Sequence, residues 1–208
     1  MLLDYAALEA TQVAEDPFRH IVVPRFLPEP ALSRIVAQLP DPPGRGSFPI
    51  ESLKMPREAR ALFSEMEGPA FRDAVARKFG LDLADAPTMI TLRGHTTSRD
   101  GQIHCDSTAK RVTVLLYLNP AAEQWDRQEG CLRLLRNGTD LENFAVEVPP
   151  VNGTLLVFPN SAASWHGHRP FSGKRVTVQL NYMTTDAKAR SEMRRHRISA
   201  FLKRLKAA

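Results

Sequence analysis

Residues 174–183 read KRVTVQLNYM, and the alternation in that run decides how the chain folds. Side chains along a strand point to opposite faces in turn. Arg175, Thr177, Gln179 and Asn181 therefore form one polar row, and Val176, Val178, Leu180 and Tyr182 form an apolar one. This is the pattern of a strand that packs one face on a core and lines a polar cavity with the other. Lys174 is out of phase with Arg175 and is expected to face solvent.

Upstream of this strand, Arg169-Pro170-Phe171-Ser172-Gly173 reads as a hairpin connection that would bring His166 close to Arg175. Sixty residues before His166 ends the tripeptide His104-Cys105-Asp106. On a strand, His104 and Asp106 would share one face while Cys105 points to the other. Two imidazoles and a carboxylate are the ligand set that holds iron(II) on one side and leaves the opposite positions open. An arginine just past the last ligand can grip an acid with its planar fork, which a lysine does less well. His168 shares the parity of His166, so geometry alone leaves either as the third ligand. His20, His95 and His196 read as structural or surface residues. The two cysteines, Cys105 and Cys131, are too few for a disulfide framework, and Cys105 reads as core filler.

Around the motif the period is two throughout. Eight short strand candidates, 88–93, 101–106, 111–118, 131–135, 144–148, 154–158, 162–166 and 174–183, are separated mostly by Gly, Pro, Asn or Asp. No helix-length connection lies between them, so a jelly-roll or double-stranded β-helix barrel is expected rather than a βαβ fold. Earlier in the chain the period is helical, over 30–39, 57–66 and 69–79, the last with Pro69 at its start and Gly80 as its stop. The expectation is a mainly β fold with α: a barrel of about eight strands at 87–184, N-terminal helices from 1–86 against one outer face, and a basic C-terminal helix at 185–208.

With 208 residues, 43% of them hydrophobic, one sizeable core and one domain (1–208) are expected. The net charge of +5 is unevenly placed. From Lys188 to Lys206 eight Lys or Arg face Glu192 alone, a local +7 that leaves about −2 elsewhere. Ile198, Phe201, Leu202 and Leu205 fall at helical spacing, so the tail reads as an amphipathic helix with a solvated basic face. Binding of nucleic acid or an acidic partner through it is the secondary reading, and no aromatics alternate with the charges to stack bases. No apolar run is long enough to cross a bilayer, and the N-terminus has no basic region followed by an apolar stretch. A reduced, cytoplasmic protein is expected.

From about Met89 to Tyr182 the chain resembles the iron(II)- and 2-oxoglutarate-dependent oxygenases, particularly the prolyl 4-hydroxylase and prolyl-hydroxylase-domain branch. The matching pieces are His104-Cys105-Asp106, VTVLLYLN at Val112–Asn119, Glu129-Gly130-Cys131-Leu132-Arg133-Leu134, and Trp165-His166 through Pro170 to Arg175. Their order and spacing together are specific. The resemblance implies His104, Asp106 and His166 as iron ligands and places Pro170 and Arg175 after the ligand His166 rather than His168. It implies Arg175 as partner of the far carboxylate of 2-oxoglutarate and Tyr117 as a hydrogen-bond donor to the same group, with Thr113 lining that pocket. The tyrosine the family often carries before the His-x-Asp pair is absent, and Leu92-Arg93-Gly94 stands there.

The cofactors so implied are Fe(II), 2-oxoglutarate as cosubstrate and O2, with ascorbate admitted as a reductant. Halogenases of the superfamily lack the carboxylate, so Asp106 points to hydroxylation with release of succinate and CO2. Two rival classes are a cupin-like barrel that uses another divalent metal without a keto acid, and a non-catalytic barrel that binds a partner. Arg175 and VTVLLYLN speak against the first. The fold does not name the substrate, which by analogy is a peptidyl proline, another side chain or a small molecule. Loops at 41–56, 94–101 and 120–130 are placed to touch it. They carry Trp125, which like Trp165 reads first as a packing residue though it could border the mouth, and Arg45, Arg99 and Arg127, with Arg93 at the edge; these arginines suit an acidic or phosphorylated substrate and equally a solvated surface. Nothing in the sequence fixes the oligomeric state.

Overall fold

A computed structural model of the protein describes residues 1–42, 46–120, 125, 128–195 and 198. In chain order the elements are α1 (Tyr5–Ala10), β1 (Ile21–Val23), α2 (Ala31–Gln38), β2 (Phe48–Pro49), a 3-10 turn (Ile50–Ser52), α3 (Arg57–Glu67), α4 (Pro69–Phe79), β3 (Thr88–Thr96), β4 (Lys110–Tyr117), β5 (Leu132–Leu135), β6 (Phe144–Val148), β7 (Leu155–Pro159), β8 (His166–Gly167) and β9 (Gly173–Met183). A further helix, α5, spans 187–195. The strands form a six-stranded sheet, β1-β7-β4-β9-β3-β2, and a three-stranded sheet, β6-β5-β8. All pairs within them are antiparallel. This is an open jelly roll with helices on one side.

The alternation of β9 explains the layering. Val176, Val178, Leu180 and Tyr182 join Val114 and Leu116 of β4 and Phe63, Phe71 and Phe79 of the helices in one buried core. Each fully buried Leu or Phe is worth roughly 1.5–3 kcal/mol relative to leaving it in water, so this face anchors the helical layer. On the other face of β4, Tyr117 packs with Leu156 and Phe158 of β7 and with Leu132 and Leu134 of β5, forming a second core that holds the two sheets together. The polar row of β9 opens between the sheets, beside this second core. Helix ends follow local chemistry. Pro69 begins α4, and Gly80, in the left-handed region at φ +64, ends it with its N–H on Arg77 O.

The helices at 31–38, 57–67 and 69–79 lie where the periodicity puts them. Four features differ from expectation. The N-terminal part is not purely helical, because β1 and β2 extend the large sheet at both edges. These strands are three and two residues long, too short to show a period, and Pro49 is tolerated because β2 is an edge.

Residues 101–106 do not form a strand; only His104 pairs, in an isolated bridge to His166. The expected strand at 162–166 is mostly turn, and β8 covers only His166–Gly167. Finally, 168–172 is not a hairpin. β8 pairs with β5 in the small sheet, whereas β9 is flanked by β3 and β4 in the large one, so this segment crosses between sheets.

At the C-terminal end, Ala189 and Met193 of α5 pack against Ala109 and Met183. Of the expected apolar tail face only Ile198 is described, and it is 49% exposed; Phe201, Leu202 and Leu205 lie outside the described residues. No helix among the described residues is long and apolar enough to cross a membrane.

Candidate active site

His104 and His166 meet across the isolated bridge, each backbone N–H donating to the other's carbonyl at 3.0 Å. Their ring centres are 4.3 Å apart. The approach of the two segments demands glycine. Gly101 has φ +87, and a Cβ there would lie 2.4 Å from Nδ1 of His168, while a Cβ on Gly167 would lie 2.8 Å from Gly101 O. The Nδ1 of His104 is 2.8 Å from Gln102 O and that of His166 is 2.9 Å from Ser164 O. A carbonyl only accepts, so each ring donates its Nδ1–H and turns Nε2 away from that bond, the nitrogen a metal would take. Burial, with the nearby charge of Lys110, pushes the His166 pKa down to about 4 despite Asp106, which keeps this imidazole neutral.

Asp106 follows two residues after His104. Together with His166 the three offer ligand atoms that all lie within 4.8 Å of one another. Both carboxylate oxygens have partners: Oδ1 accepts from Lys110 Nζ at 2.6 Å and Oδ2 from the Thr113 hydroxyl at 2.5 Å. Burial alone would raise the Asp106 pKa, but the ammonium of Lys110, helped by His166 and Thr113, holds it below the usual carboxylate range. Thr113 also lies 3.3 Å from Asn181 Oδ1, which accepts from Gln179 Nε2 at 3.2 Å. The polar row of β9 thus continues to the carboxylate.

The cluster lines one part of a cavity of about 210 Å³. Elsewhere in the same cavity lies Arg175, 5% exposed. Its Nε donates to Gly130 O at 2.8 Å and its Nη1 to the Thr177 hydroxyl at 3.4 Å. The guanidinium carbon is 5.3 Å from the centre of the Tyr117 ring. Among the described residues Arg175 forms no ion pair with a carboxylate. A buried cation without an anion is costly, and an acid entering this cavity would relieve that cost. Tyr117 is fully buried against Arg175, and among the described residues its hydroxyl makes no hydrogen bond of good geometry, with the Arg175 guanidinium as its polar neighbour.

Residues 92–183 match the family model described as the 2OG-Fe(II) oxygenase superfamily. This core belongs to that superfamily. Its cofactors are iron(II), 2-oxoglutarate and dioxygen. Solved structures agree on the fold. A prolyl 4-hydroxylase from Pseudomonas putida is 18% identical, with a TM-score of 0.57 over 89% of this chain and 93% of its own. A prolyl hydroxylase from Trichoplax adhaerens, solved with a peptide fragment of hypoxia inducible factor, is also 18% identical, with a TM-score of 0.52 over 90% of each chain. The viral collagen prolyl hydroxylase of Paramecium bursaria Chlorella virus-1, solved as a 2-oxoglutarate complex, is 12% identical, with a TM-score of 0.52 over 80% of this chain and 96% of its own. A search of curated protein sequences finds no match.

In this oxygenase core the expected residues fall into two groups. His104, Asp106 and His166 converge, and Arg175 shares their cavity. His168 also lines it, with its pKa pushed down to about 4 by burial and by Arg175, but it is outside the three-residue cluster. Thr113 lines the cavity with its hydroxyl on Asp106, and Tyr117 lies behind Arg175. Cys105 points away, its thiol 3.5 Å from Ala162 O. Cys131 is buried and its thiol is pushed up to about 11 by burial, which makes it inert. Trp125 is buried against Phe171, as its reading as a packing residue expects. Arg99 is exposed, while Arg45 and Arg127 lie outside the described residues.

Sequence reasoning missed Lys110, whose only signal is a lysine four residues after Asp106 on the far side of a turn. It also left Arg93 as a loop-edge charge. Arg93 occupies the β3 position opposite Thr177, faces the cavity and pairs with Asp100 at 3.0 Å.

Proposed function

We propose that the protein is an Fe(II)- and 2-oxoglutarate-dependent hydroxylase in which His104, Asp106 and His166 hold the iron and Arg175 holds the distal carboxylate of 2-oxoglutarate. The donor set fits the metal: two imidazoles oriented through Nδ1, with Nε2 left to bind, and one carboxylate held below the usual range suit iron(II) and leave positions for other ligands. The observation that carries the reading is the buried, carboxylate-free Arg175 in the same cavity as that cluster. Together with 2-oxoglutarate and dioxygen, the iron supplies the oxidising chemistry: one oxygen atom enters a substrate C–H bond and the other converts the keto acid to succinate and CO2.

The chain's own residues supply position and exclusion. The carbonyls of Gln102 and Ser164 fix the tautomer and plane of each imidazole. Thr113 sets the rotation of the Asp106 carboxylate. Gly130 O and Thr177 hold the Arg175 guanidinium, and the Tyr117 hydroxyl, which makes no well-formed hydrogen bond among the described residues, is available to the same acid group. Leu132 of the second core and Leu115 packed against it give the cavity an apolar part of its wall, and low-dielectric surroundings strengthen charge interactions. The substrate is a peptidyl side chain, with prolyl hydroxylation as the nearest analogy, or a small molecule.

Anaerobic titration tests this directly. Iron(II) plus 2-oxoglutarate is expected to develop a weak visible charge-transfer band. Arg175→Ala is expected to weaken 2-oxoglutarate binding by more than tenfold while metal binding persists. A wild-type protein that binds metal but gives no response to 2-oxoglutarate would refute the reading.

A further inference from the structure

One row of residues crosses the large sheet at the level of the Arg175 guanidinium. Thr177 of β9 is the register partner of Tyr117 on β4 and of Arg93 on β3, so the three run from strand to strand. Adjacent strands are about 4.8 Å apart. The guanidinium folds onto the middle of this row, with Nη1 on the Thr177 hydroxyl at 3.4 Å and its carbon 5.3 Å from the centre of the Tyr117 ring. Tyr117 therefore stands on one side of it and Arg93 on the other. The β3–β9 ladder slips just beyond, because Arg93 pairs with Thr177 and His95 with Lys174. Arg175 and Val176 thus oppose Gly94 alone, and a bulge of this kind re-aims the side chains beside it.

Arg93 lines the cavity with its side chain 30% exposed, and it is held from behind. Its Nη1 donates to Asp100 Oδ1 at 3.0 Å, while Oδ2 of the same carboxylate accepts from the Thr97 N–H at 2.7 Å and the Thr97 hydroxyl at 3.0 Å. That bond uses one of the five N–H groups of the guanidinium and fixes where the others lie. Among the described residues Asp100 is the one carboxylate that pairs with either arginine. Burial, with the like charge of Arg93, presses the Arg175 pKa down against the opposing effect of Tyr117.

Donor accounting shows what a second arginine adds at this level. A bound carboxylate presents two oxygens with about four lone-pair sites, and leaving them unmet away from water is costly. Arg175 has already committed Nε to Gly130 O and one Nη1 N–H to Thr177. The Tyr117 hydroxyl donates once. Arg93 is the other side chain of the row with N–H groups to offer.

We propose that Arg93 is a second arginine for the distal carboxylate of the keto acid, placed opposite Tyr117, and that it sets a preference for a cosubstrate charged at both ends. This deepens the reading above and rests on it. Asp100 stays with Arg93 as its anchor, and the acid takes N–H groups that Asp100 does not use.

The test is an anaerobic titration of the full-length iron(II) protein with two keto acids, read by the charge-transfer band. The probes are 2-oxoglutarate and 2-oxopentanoate, which has the same chain and the same keto acid but a methyl group in place of the distal carboxylate. The quantity that decides is the ratio of their affinities within each variant, because a change that merely disturbs the fold or the metal moves both alike. Wild type is expected to prefer 2-oxoglutarate. Arg93→Gln is expected to shrink that preference at least about tenfold, the order of a hydrogen bond to a charged group, and Arg93→Lys to keep part of it.

A preference unchanged in Arg93→Gln, or equal weakening of both keto acids there, would overturn the assignment. Arg175→Ala is titrated alongside. If wild type shows no preference, or Arg175→Ala retains it in full, the distal-carboxylate reading falls and the role of Arg93 falls with it. If the preference drops in Arg175→Ala and not in Arg93→Gln, the role of Arg93 alone falls.

Discussion

Asp106 shows how much one side chain depends on its neighbours. A buried carboxylate has to be paired or it protonates, and here Lys110 and Thr113 take one oxygen each. Thr113 is the more permanent partner, because its neutral hydroxyl does not compete with a metal. Partners that orient a ligand in this way are typically worth about 10–100-fold in metal affinity. Thr113→Val, close in shape but without the hydroxyl, is therefore expected to weaken Mn(II) binding by at least about tenfold, and Thr113→Ser to restore most of it. Calorimetric titration of both variants measures this, and equal affinities for Val and Ser would show that the hydroxyl does not position Asp106. At this scale the sequence was legible wherever strand parity applies: Arg175 is buried and Lys174 exposed, as the alternation of β9 requires. Lys110 was illegible because it reaches Asp106 around a turn, where no period relates the two positions.

Among elements, the informative one is the segment 101–106, which reads as a strand and is not one. Its composition suits a strand, yet it contributes one bridge, because β8 offers only two residues for pairing. What holds it is close backbone contact, with Gly101 and Gly167 stacked too tightly for side chains. Gly101→Ala is expected to cost about 1–3 kcal/mol from the positive φ alone, and its Cβ would also push the His168 ring. Because His104 sits three residues on, metal affinity should fall with stability. Chemical denaturation and Mn(II) titration of the variant test the pair of effects. Full stability with full affinity would mean the segment tolerates a shift of its backbone. The crossing at 168–172 was equally unreadable. A hairpin and a crossover use the same Pro, Ser and Gly, and only the occupied edges of β9 exclude the hairpin.

The whole molecule links these local features to pH. Two cores and the crossing segment bury His166 and His168 in neutral form, both with pKa values lowered from 6.5 to about 4. In the unfolded chain the same rings protonate near 6.5. Between those values the unfolded state binds more protons than the folded one, so stability is full above about pH 6.5 and is lost as pH falls toward 4. Asp106 acts lower. Its folded pKa lies below the unfolded 3.8, so its contribution is intact above that value and disappears only as pH drops through the folded one.

The window between pH 7 and 5 therefore reports the histidines. Each is expected to withdraw on the order of 2 kcal/mol across it, because a tenfold difference in proton affinity between folded and unfolded chain is worth about 1.4 kcal/mol. Urea denaturation of the metal-free protein at a series of pH values gives the slope directly. His168→Gln removes one of the two titrations without touching the three-residue cluster, so it should reduce that slope by about half whatever it does to stability at pH 7. A wild-type unfolding free energy that stays flat from pH 7 to 5 would show that the two rings are not buried as neutral groups. A slope unchanged in His168→Gln would assign the effect to His166 or to groups elsewhere.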